Sequence, residues 1–142
     1  KHMGQTMYLR EILGREEGAP PPVDLAREKV NGDLIRNLIN SGQVTAVHDI
    51  SDGGLAAALI EMALAGNLGA ELEPLDHIQL FSEDQARYVI TCKLEHAAKI
   101  DALRLGTVTA DATLAIGTLA VPLPDLRTAH EGWFPAYMAG EL

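Results

Sequence analysis

The sequence predicts an α/β (α+β) domain in which helices flank a mixed β-sheet. Helical and strand-like segments alternate along its 142 residues, as they do in folds that pack helices against a sheet. Apolar residues recur every three or four positions in the helical segments and form short β-branched runs in the others. A chain of this length is expected to form one domain. We place that domain at residues 23–142, after a helical segment and proline-rich connector at residues 1–22.

The first half of the chain alternates helical segments with one strand. A helical segment at about Thr6–Leu13 ends before three consecutive prolines, which forbid helix. The apolar spacing of Asp24–Gly42 predicts an amphipathic helix with a glycine at its C-terminal end. Val44–Ile50 is short, apolar and β-branched, which predicts a buried strand. Gly53–Ala65 is apolar on nearly every side, which predicts a helix that is buried or lies in an interface.

The second half is richer in strand-like runs. The segment GNLGAEL turns into a short strand, and the β-branched and aromatic run Ala86–Leu94 is expected to pair with it in one sheet. A short helix follows at about Glu95–Leu103. Two further β-rich runs lie on either side of residues 110–112 and predict a hairpin.

The last predicted element is a helix in the segment LPDLRTAHEGWFPAYMAG. Trp133, Phe134 and Tyr137 lie at near-helical spacing, so we expect their side chains to dock this helix. Gly132 and Pro135 should weaken or kink it.

Composition excludes several classes of partner. Eleven basic and twenty acidic residues give a net charge of -9, and no Lys/Arg cluster interleaves with the aromatic residues, so we expect no nucleic-acid or anionic-membrane surface. No apolar run approaches the roughly 18 to 20 residues that span a bilayer. The start of the chain lacks the pattern of an export signal and resembles the remnant of a cleaved tag, so we expect a cytoplasmic protein.

The motif HDISDGG, residues 48–54, lies where a strand gives way to a helix. Open α/β sheets bind ligands at the carboxyl ends of their strands. Ser51 or Asp52 is a natural N-cap for the helix. Gly53 and Gly54 would let a ligand approach the backbone closely, and the helix N-terminus attracts anions.

Two carboxylates in this motif would repel a bare phosphate. Asp49 and Asp52 could instead hold a Mg²⁺ ion, which commonly takes one or two carboxylates together with phosphate and water oxygens. A structural alternative stays open. In it Asp52 caps the helix, Asp49 accepts loop N–H bonds and His48 is a hydrogen-bonded residue at the strand end.

A second polar cluster precedes the run Ala86–Leu94. Its members are Ser82, Glu83, Asp84, Gln85 and Arg87. These side chains could bind hydroxyls, an amide and a phosphate. They could equally form a solvated turn in which Arg87 pairs with Glu83. The residue types alone leave both interpretations open.

Taken together, VHDISDGGLAAALIEMALAGNLGAEL and LFSEDQARYVI resemble the C-terminal domain of the aminoimidazole ribonucleotide (AIR) synthetase superfamily. Within it, the match is best to the last domain of the phosphoribosylformylglycinamidine synthase family, the ATP- and glutamine-dependent ligases of purine biosynthesis. The segments GQTMYLREILGREEGAPPPVDLAREKVNGDLIRNLINSG and LPDLRTAHEGWFPAYMAG are also similar, so the resemblance covers nearly the whole chain. The proline-rich stretch and the last helix argue against a selenophosphate or thiamine-phosphate enzyme of the same superfamily.

The resemblance implies an AIR-synthetase C-terminal-domain fold and a role in converting formylglycinamide ribonucleotide to its amidine. In the family the catalytic histidine and most ATP ligands belong to another type of domain, so we assign no catalytic residue and expect the isolated chain to be inactive. Asp49 corresponds to a magnesium ligand. The residues implied to line a second, non-catalytic Mg-ADP site are His48, Ser51, Asp52, Gly53, Gly54, Ser82, Glu83, Asp84, Gln85 and Arg87.

The resemblance also implies partners. ATP and Mg²⁺ serve the full enzyme, whose remaining domains lie on the same chain. A multi-subunit form adds a glutaminase subunit and a small accessory subunit. Domains of this family pack against their companions, so an isolated one should expose an apolar face and self-associate. The alternative is a free-standing nucleotide-binding or protein-interaction module, which an acidic surface and an apolar helix would also suit.

The chain departs from the family pattern in two ways. Asp84 stands where the family often has serine, and the added carboxylate disfavours a phosphate that arrives without a metal. The chain is also short around Leu75–Leu80 and Ala98–Leu105. We expect flexible segments of the family to be absent from the sequence there.

Overall fold

A computed structural model describes residues 2–141 of the chain. The described residues form one π-helix, five α-helices and six strands. In chain order they are the π-helix Tyr8–Ile12, α1 (Leu25–Asn40), β1 (Ala46–Asp49), α2 (Gly54–Gly66), β2 (Gly69–Leu72), α3 (His77–Phe81), β3 (Tyr88–Thr91), α4 (Leu94–Ala97), β4 (Gly106–Thr109), β5 (Thr113–Ile116), β6 (Leu119–Pro122) and α5 (Leu123–Ala139).

The chain divides into two compact units. The first comprises Lys1–Leu59 and Leu75–Leu103, and the second comprises Ile60–Pro74 and Arg104–Leu142. The buried apolar side chains of the first unit are Leu38, Ile50, Leu55, Ala58, Leu59 and Val89. Those of the second are Ala63, Leu64, Leu114 and Leu123. The predicted division into residues 1–22 and 23–142 stays a prediction.

Each unit contains one sheet. In the first, β1 and β3 pair antiparallel. In the second, the strand order is β4-β2-β5-β6, with β2 and β5 parallel and the other pairs antiparallel. The predicted class, a mixed sheet with flanking helices, is confirmed.

Two predicted strand pairings are wrong. β2 and β3 do not share a sheet, because β3 pairs with β1. β4 and β5 do not form a hairpin, because β2 lies between them. Gly69 at the start of β2 makes this insertion possible, since a Cβ there would lie 2.0 Å from the Asp111 carbonyl oxygen. The hairpin of this sheet joins β5 to β6 through Gly117, which has φ +58°.

Helix α1 begins and ends as predicted. The side chain of Asp24 accepts hydrogen bonds from the backbone N–H groups of Ala26 (3.1 Å) and Arg27 (3.0 Å), which caps the first turn. Gly42 follows the helix with φ +65°. The helical segments predicted at Thr6–Leu13 and Glu95–Leu103 are shorter in the structure. The first is a π-helix of five residues, and the second, α4, has four residues.

Helix α5 forms as predicted and continues through Gly132 and Pro135. Docking by its aromatic side chains is wrong, because Trp133 is 58% exposed and stacks on Tyr137, also exposed, with ring centroids 5.1 Å apart. The buried residue of this helix is Leu123, at its first position. Among residues 2–141, no helix combines the length and the apolar character that a membrane span requires.

Candidate functional site

The two polar motifs of the sequence meet in the first unit. Because β1 and β3 run antiparallel, the end of β1 lies beside the start of β3, and Asp49 is opposite Tyr88. One residue further, the backbone N–H of Ile50 donates to the carbonyl oxygen of Arg87 (2.9 Å). The loop after β1 and the turn before β3 are therefore neighbours.

The carboxylate of Glu83 lies at the start of α2. Its Oε1 accepts a hydrogen bond from the backbone N–H of Gly53 (2.9 Å). Carboxylates are favoured at this end of a helix by the unpaired N–H groups and the helix dipole. The predicted N-cap is wrong: α2 begins at Gly54, so neither Ser51 nor Asp52 directly precedes it, and both are exposed.

The glycine pair adopts a conformation that favours glycine. Gly53 has φ +78° and Gly54 has φ +68°. A Cβ at Gly54 would lie 2.7 Å from the carbonyl oxygen of Leu80 and 2.9 Å from the Cα of Phe81. The atoms that approach this glycine are thus backbone atoms of the residues just before the second motif.

Arg87 makes its contacts to other residues of the second motif. Its Nη1 donates to the carbonyl oxygen and to the Oγ of Ser82, both at 3.0 Å, and Ser82 is fully buried. The same nitrogen lies 3.8 Å from Oδ2 of Asp84. The ion pair that the sequence left open, Arg87 with Glu83, is therefore wrong, because Glu83 turns to the helix start and Arg87 to Asp84.

His48 and Asp49 differ in how they are held. Nδ1 of His48 donates to the carbonyl oxygen of Asp49 (2.6 Å), which fixes the imidazole at the strand end. The side chain of Asp49 is 69% exposed. Gln85 is also exposed. Asp49 is therefore, like the exposed Asp52, a carboxylate of the motif that a cation could reach from solvent.

Residues 2–8, here called the strap, lie against the turn formed by residues 81–84. Three contacts hold them together: His2 N donates to Asp84 Oδ2 (3.1 Å), Met7 N donates to Glu83 Oε1 (2.9 Å), and the ring of Tyr8 stacks on that of Phe81 with centroids 4.6 Å apart. Sequence reasoning missed the strap because two of these contacts use backbone N–H groups, which carry no residue-type signal.

A polar cavity of about 270 Å³ borders the strap and is lined by Gln5, Thr6, Arg10, Arg15 and Glu16. Its arginines are already paired, Arg10 with Glu11 and Arg15 with Glu17. The hydrogen bond to Glu11 raises the pKa of Arg10, and the charges of Glu16 and Asp52 add to this rise.

The site fits a magnesium nucleotide only in part. Residues 2–141 contain no group of three His, Cys, Asp or Glu side chains that could cage a metal. Mg²⁺ bound to phosphate needs only one or two carboxylates, which Asp49 can supply. The phosphate side does not fit in this conformation, because Glu83 takes the N–H of Gly53 and Arg87 bonds to Ser82.

The family model described as "AIR synthase related protein, C-terminal domain" matches residues 2–117, which is most of the chain. The chain belongs to this family. This AIR synthase related C-terminal domain is 51% identical to the phosphoribosylformylglycinamidine synthase subunit PurL of Rhodopseudomonas palustris (strain BisA53), over 98% of the chain and 21% of that protein. It is 49% identical to the same subunit of Rhodospirillum rubrum, over 97% of the chain and 20% of that protein. The domain thus spans about one fifth of the length of these relatives.

Solved structures have the same fold as this AIR synthase related domain. Phosphoribosylformylglycinamidine synthase II of Thermotoga maritima matches with a TM-score of 0.66 and 20% identity, over 75% of the chain and 22% of that protein. A Thermotoga maritima structure described as PurLQS matches with a TM-score of 0.60 and 23% identity, over 87% of the chain and 24% of that protein. The AIR-synthetase-like fold predicted from the sequence is therefore confirmed.

The AIR synthase related domain is also shorter than its relatives. The alignment with the Rhodopseudomonas palustris protein covers 154 residues, whereas the chain has 142, so the relative carries at least 12 residues without a counterpart here. That these lie near Leu75–Leu80 and Ala98–Leu105 stays a prediction.

Proposed function

We propose that the chain is a non-catalytic domain of a phosphoribosylformylglycinamidine synthase. Such a ligase converts formylglycinamide ribonucleotide to its amidine with ATP and with ammonia from glutamine. The observation that carries the proposal is the 51% identity over 98% of the chain to a PurL subunit. Because the chain spans about one fifth of that subunit, it would complete the scaffold rather than perform the reaction alone. The compartment we propose is the cytoplasm.

Within that enzyme, this domain would line a Mg-ADP site. Asp49 would hold the cation, and the N–H of Gly53 and the guanidinium of Arg87 would bind phosphate oxygens once their present partners release them. When bound, magnesium would neutralise phosphate charge that the acidic motif otherwise repels. Support comes from a PurL of Thermotoga maritima described as complexed with AMPPCP, which has this fold (TM-score 0.59, 22% identity, 69% of the chain and 21% of that protein).

Calorimetric titration with ADP, with and without Mg²⁺, tests this site. We expect binding that requires Mg²⁺ and is lost in Asp49→Asn, which removes the carboxylate proposed to hold the cation. Asp111→Asn is the matched control, because it makes the same change at an exposed position of the second unit and should bind as the unchanged chain does. Folded protein that binds no ADP would contradict the nucleotide site and favour the alternative of an interaction module.

The proposed partners are the remaining domains of the synthetase chain, together with a glutaminase subunit and a small accessory subunit in a multi-subunit form. A Thermotoga maritima structure described as PurLQS, which has this fold, supports the presence of further subunits. Exposed apolar side chains on α1 and α5 support packing against companions; the most exposed are Leu25, Val30, Trp133, Phe134, Tyr137 and Met138.

The isolated chain should therefore self-associate. We expect the weight-average mass in sedimentation equilibrium to rise above 15.2 kDa as concentration increases. A Trp133→Ser/Phe134→Ser double variant should shift this rise to higher concentration, because it removes two exposed aromatic side chains from α5. Asp125→Ser, an exposed polar position of the same helix, is the control. A mass that stays monomeric throughout would contradict self-association.

A further inference from the structure

We propose that the strap is a lid over the candidate nucleotide site and that Glu83 is the latch that holds it closed. This inference rests on the proposed function, because a lid has a role only if a nucleotide binds beneath it. It concerns what controls access to the site rather than which ligand the site takes.

One oxygen atom of Glu83 binds both the strap and the start of α2. Oε1 of Glu83 accepts from the strap, through Met7 N, and from the start of α2, through Gly53 N, each at 2.9 Å. A phosphate oxygen that takes the N–H of Gly53 must displace this carboxylate. The displacement also breaks the bond to Met7. Opening the helix start and releasing the strap are therefore one event.

The strap contacts two residues of the predicted ligand-binding turn, Glu83 and Asp84, and also Phe81, which directly precedes it. Tyr8 contacts Phe81, Met7 contacts Glu83 and His2 contacts Asp84. The buried Ser82 lies between these contacts in sequence. A ligand that uses the side chains of this turn must therefore compete with the strap for the same groups.

The strap is a folded unit and not a loose tail. Thr6 is 1% exposed, and its Oγ1 donates to the carbonyl oxygen of Met3 (2.8 Å) and accepts from Leu9 N (3.3 Å). Beside it, Gln5 has φ +60°, a conformation that residues other than glycine rarely adopt. Two hydrogen bonds hold this conformation in place: Gln5 N donates to the Glu17 carbonyl oxygen (3.1 Å), and Gln5 Nε2 donates to the Gly18 carbonyl oxygen (2.9 Å).

A proline substitution at residue 7 tests the latch without altering Glu83. Met7 has φ -54°, within the range of about -65 ± 15° that proline requires, so Met7→Pro removes the donor N–H and keeps the backbone angle. Met7→Ala is the matched control, because it removes the side chain and keeps the N–H. Both variants are measured in the full chain by amide hydrogen exchange and by calorimetric titration with Mg-ADP.

We expect Met7→Pro to accelerate exchange of the Thr6 amide, which donates to the Met3 carbonyl oxygen, and of the Arg10 amide, which donates to the Thr6 carbonyl oxygen of the strap. We also expect it to tighten Mg-ADP binding by about tenfold, the factor expected when the closed state loses one hydrogen bond to a charged group. Met7→Ala, which also removes the thioether that accepts from Arg10 Nη2 (3.0 Å), should change both quantities much less than Met7→Pro does. Tyr8→Ala, which removes the stacking on Phe81 and keeps every backbone donor, should change both in the same direction as Met7→Pro.

The outcomes separate the lid from the site. Faster exchange with unchanged Mg-ADP affinity, in a chain that binds Mg-ADP, overturns the lid and leaves the proposed function standing. Unchanged exchange in both Met7→Pro and Tyr8→Ala overturns the latch. Mg-ADP binding by none of the proteins overturns the proposed nucleotide site, and the lid with it.

Discussion

Replacing Gly54 by alanine should destabilise the chain by about 3 kcal/mol and disorganise the start of α2. Two effects add. A left-handed conformation costs a residue with a Cβ about 1 kcal/mol, and Gly54 has φ +68°. The new Cβ would also lie 2.7 Å from the carbonyl oxygen of Leu80, and relieving such overpacking typically costs about 1–3 kcal/mol. Urea unfolding followed by circular dichroism measures the change.

Gly42→Ala separates the two effects. Gly42 has a similar angle, φ +65°, but a Cβ there would have nothing within 4 Å. It should therefore lose only the conformational part, about 1 kcal/mol. Equal losses in the two variants would contradict the close approach of Leu80 and Phe81 to α2. A larger loss at Gly54 would support the contact that brings the two motifs together.

Local features of the sequence predicted the three long helices α1, α2 and α5 well, and the short helical segments poorly. Asp24 and Gly42 bound α1 because a capping side chain and a C-terminal glycine act within one turn of the helix they end. The apolar segment of α2 was predicted within one residue of its bounds, since its composition leaves few alternatives. Such signals depend only on nearby residues and can be read from the sequence directly.

Strand partners were predicted poorly because pairing is not local. Alternating or β-branched residues identify β2 and β3 as strands, but they do not specify a neighbour. Adjacent runs such as β4 and β5 suggest a hairpin, and yet β2, more than thirty residues earlier, lies between them. The close approach of the Asp111 carbonyl oxygen to Gly69 lets β2 lie beside β5, and neither strand has a residue pattern that predicts this contact.

The sequence predicted which residues belong to the candidate site, but it did not predict which of them contact one another. Both motifs were identified from residue type and resemblance, and the antiparallel pairing of β1 and β3 brings them together. Which carboxylate Arg87 meets could not be predicted. Glu83 and Asp84 are adjacent acids, and their roles separate only through Gly53 N and Arg87 Nη1.

Replacing Leu123 by alanine should destabilise the second unit by about 3 kcal/mol. Leu123 is 1% exposed at the first position of α5, and truncation of a buried leucine removes its transfer free energy and leaves a cavity. Its backbone N–H also donates to the Ala112 carbonyl oxygen (2.9 Å), so the backbone is anchored where the helix follows β6. Thermal unfolding followed by the fluorescence of Trp133, the single tryptophan, reports the loss on α5 itself.

Two controls decide whether Leu123 or the aromatic side chains hold α5. Leu119→Ala makes the same truncation at a position that is 59% exposed and should cost less than about 0.5 kcal/mol. Trp133→Ala, followed by circular dichroism, should also cost little, because its ring stacks on the exposed ring of Tyr137 and not on the core. If Trp133→Ala instead lost as much stability as Leu123→Ala, the helix would be docked by its aromatic residues, as the sequence pattern predicts. A small loss at Trp133 leaves that exposed surface available for the companions that the proposed function requires.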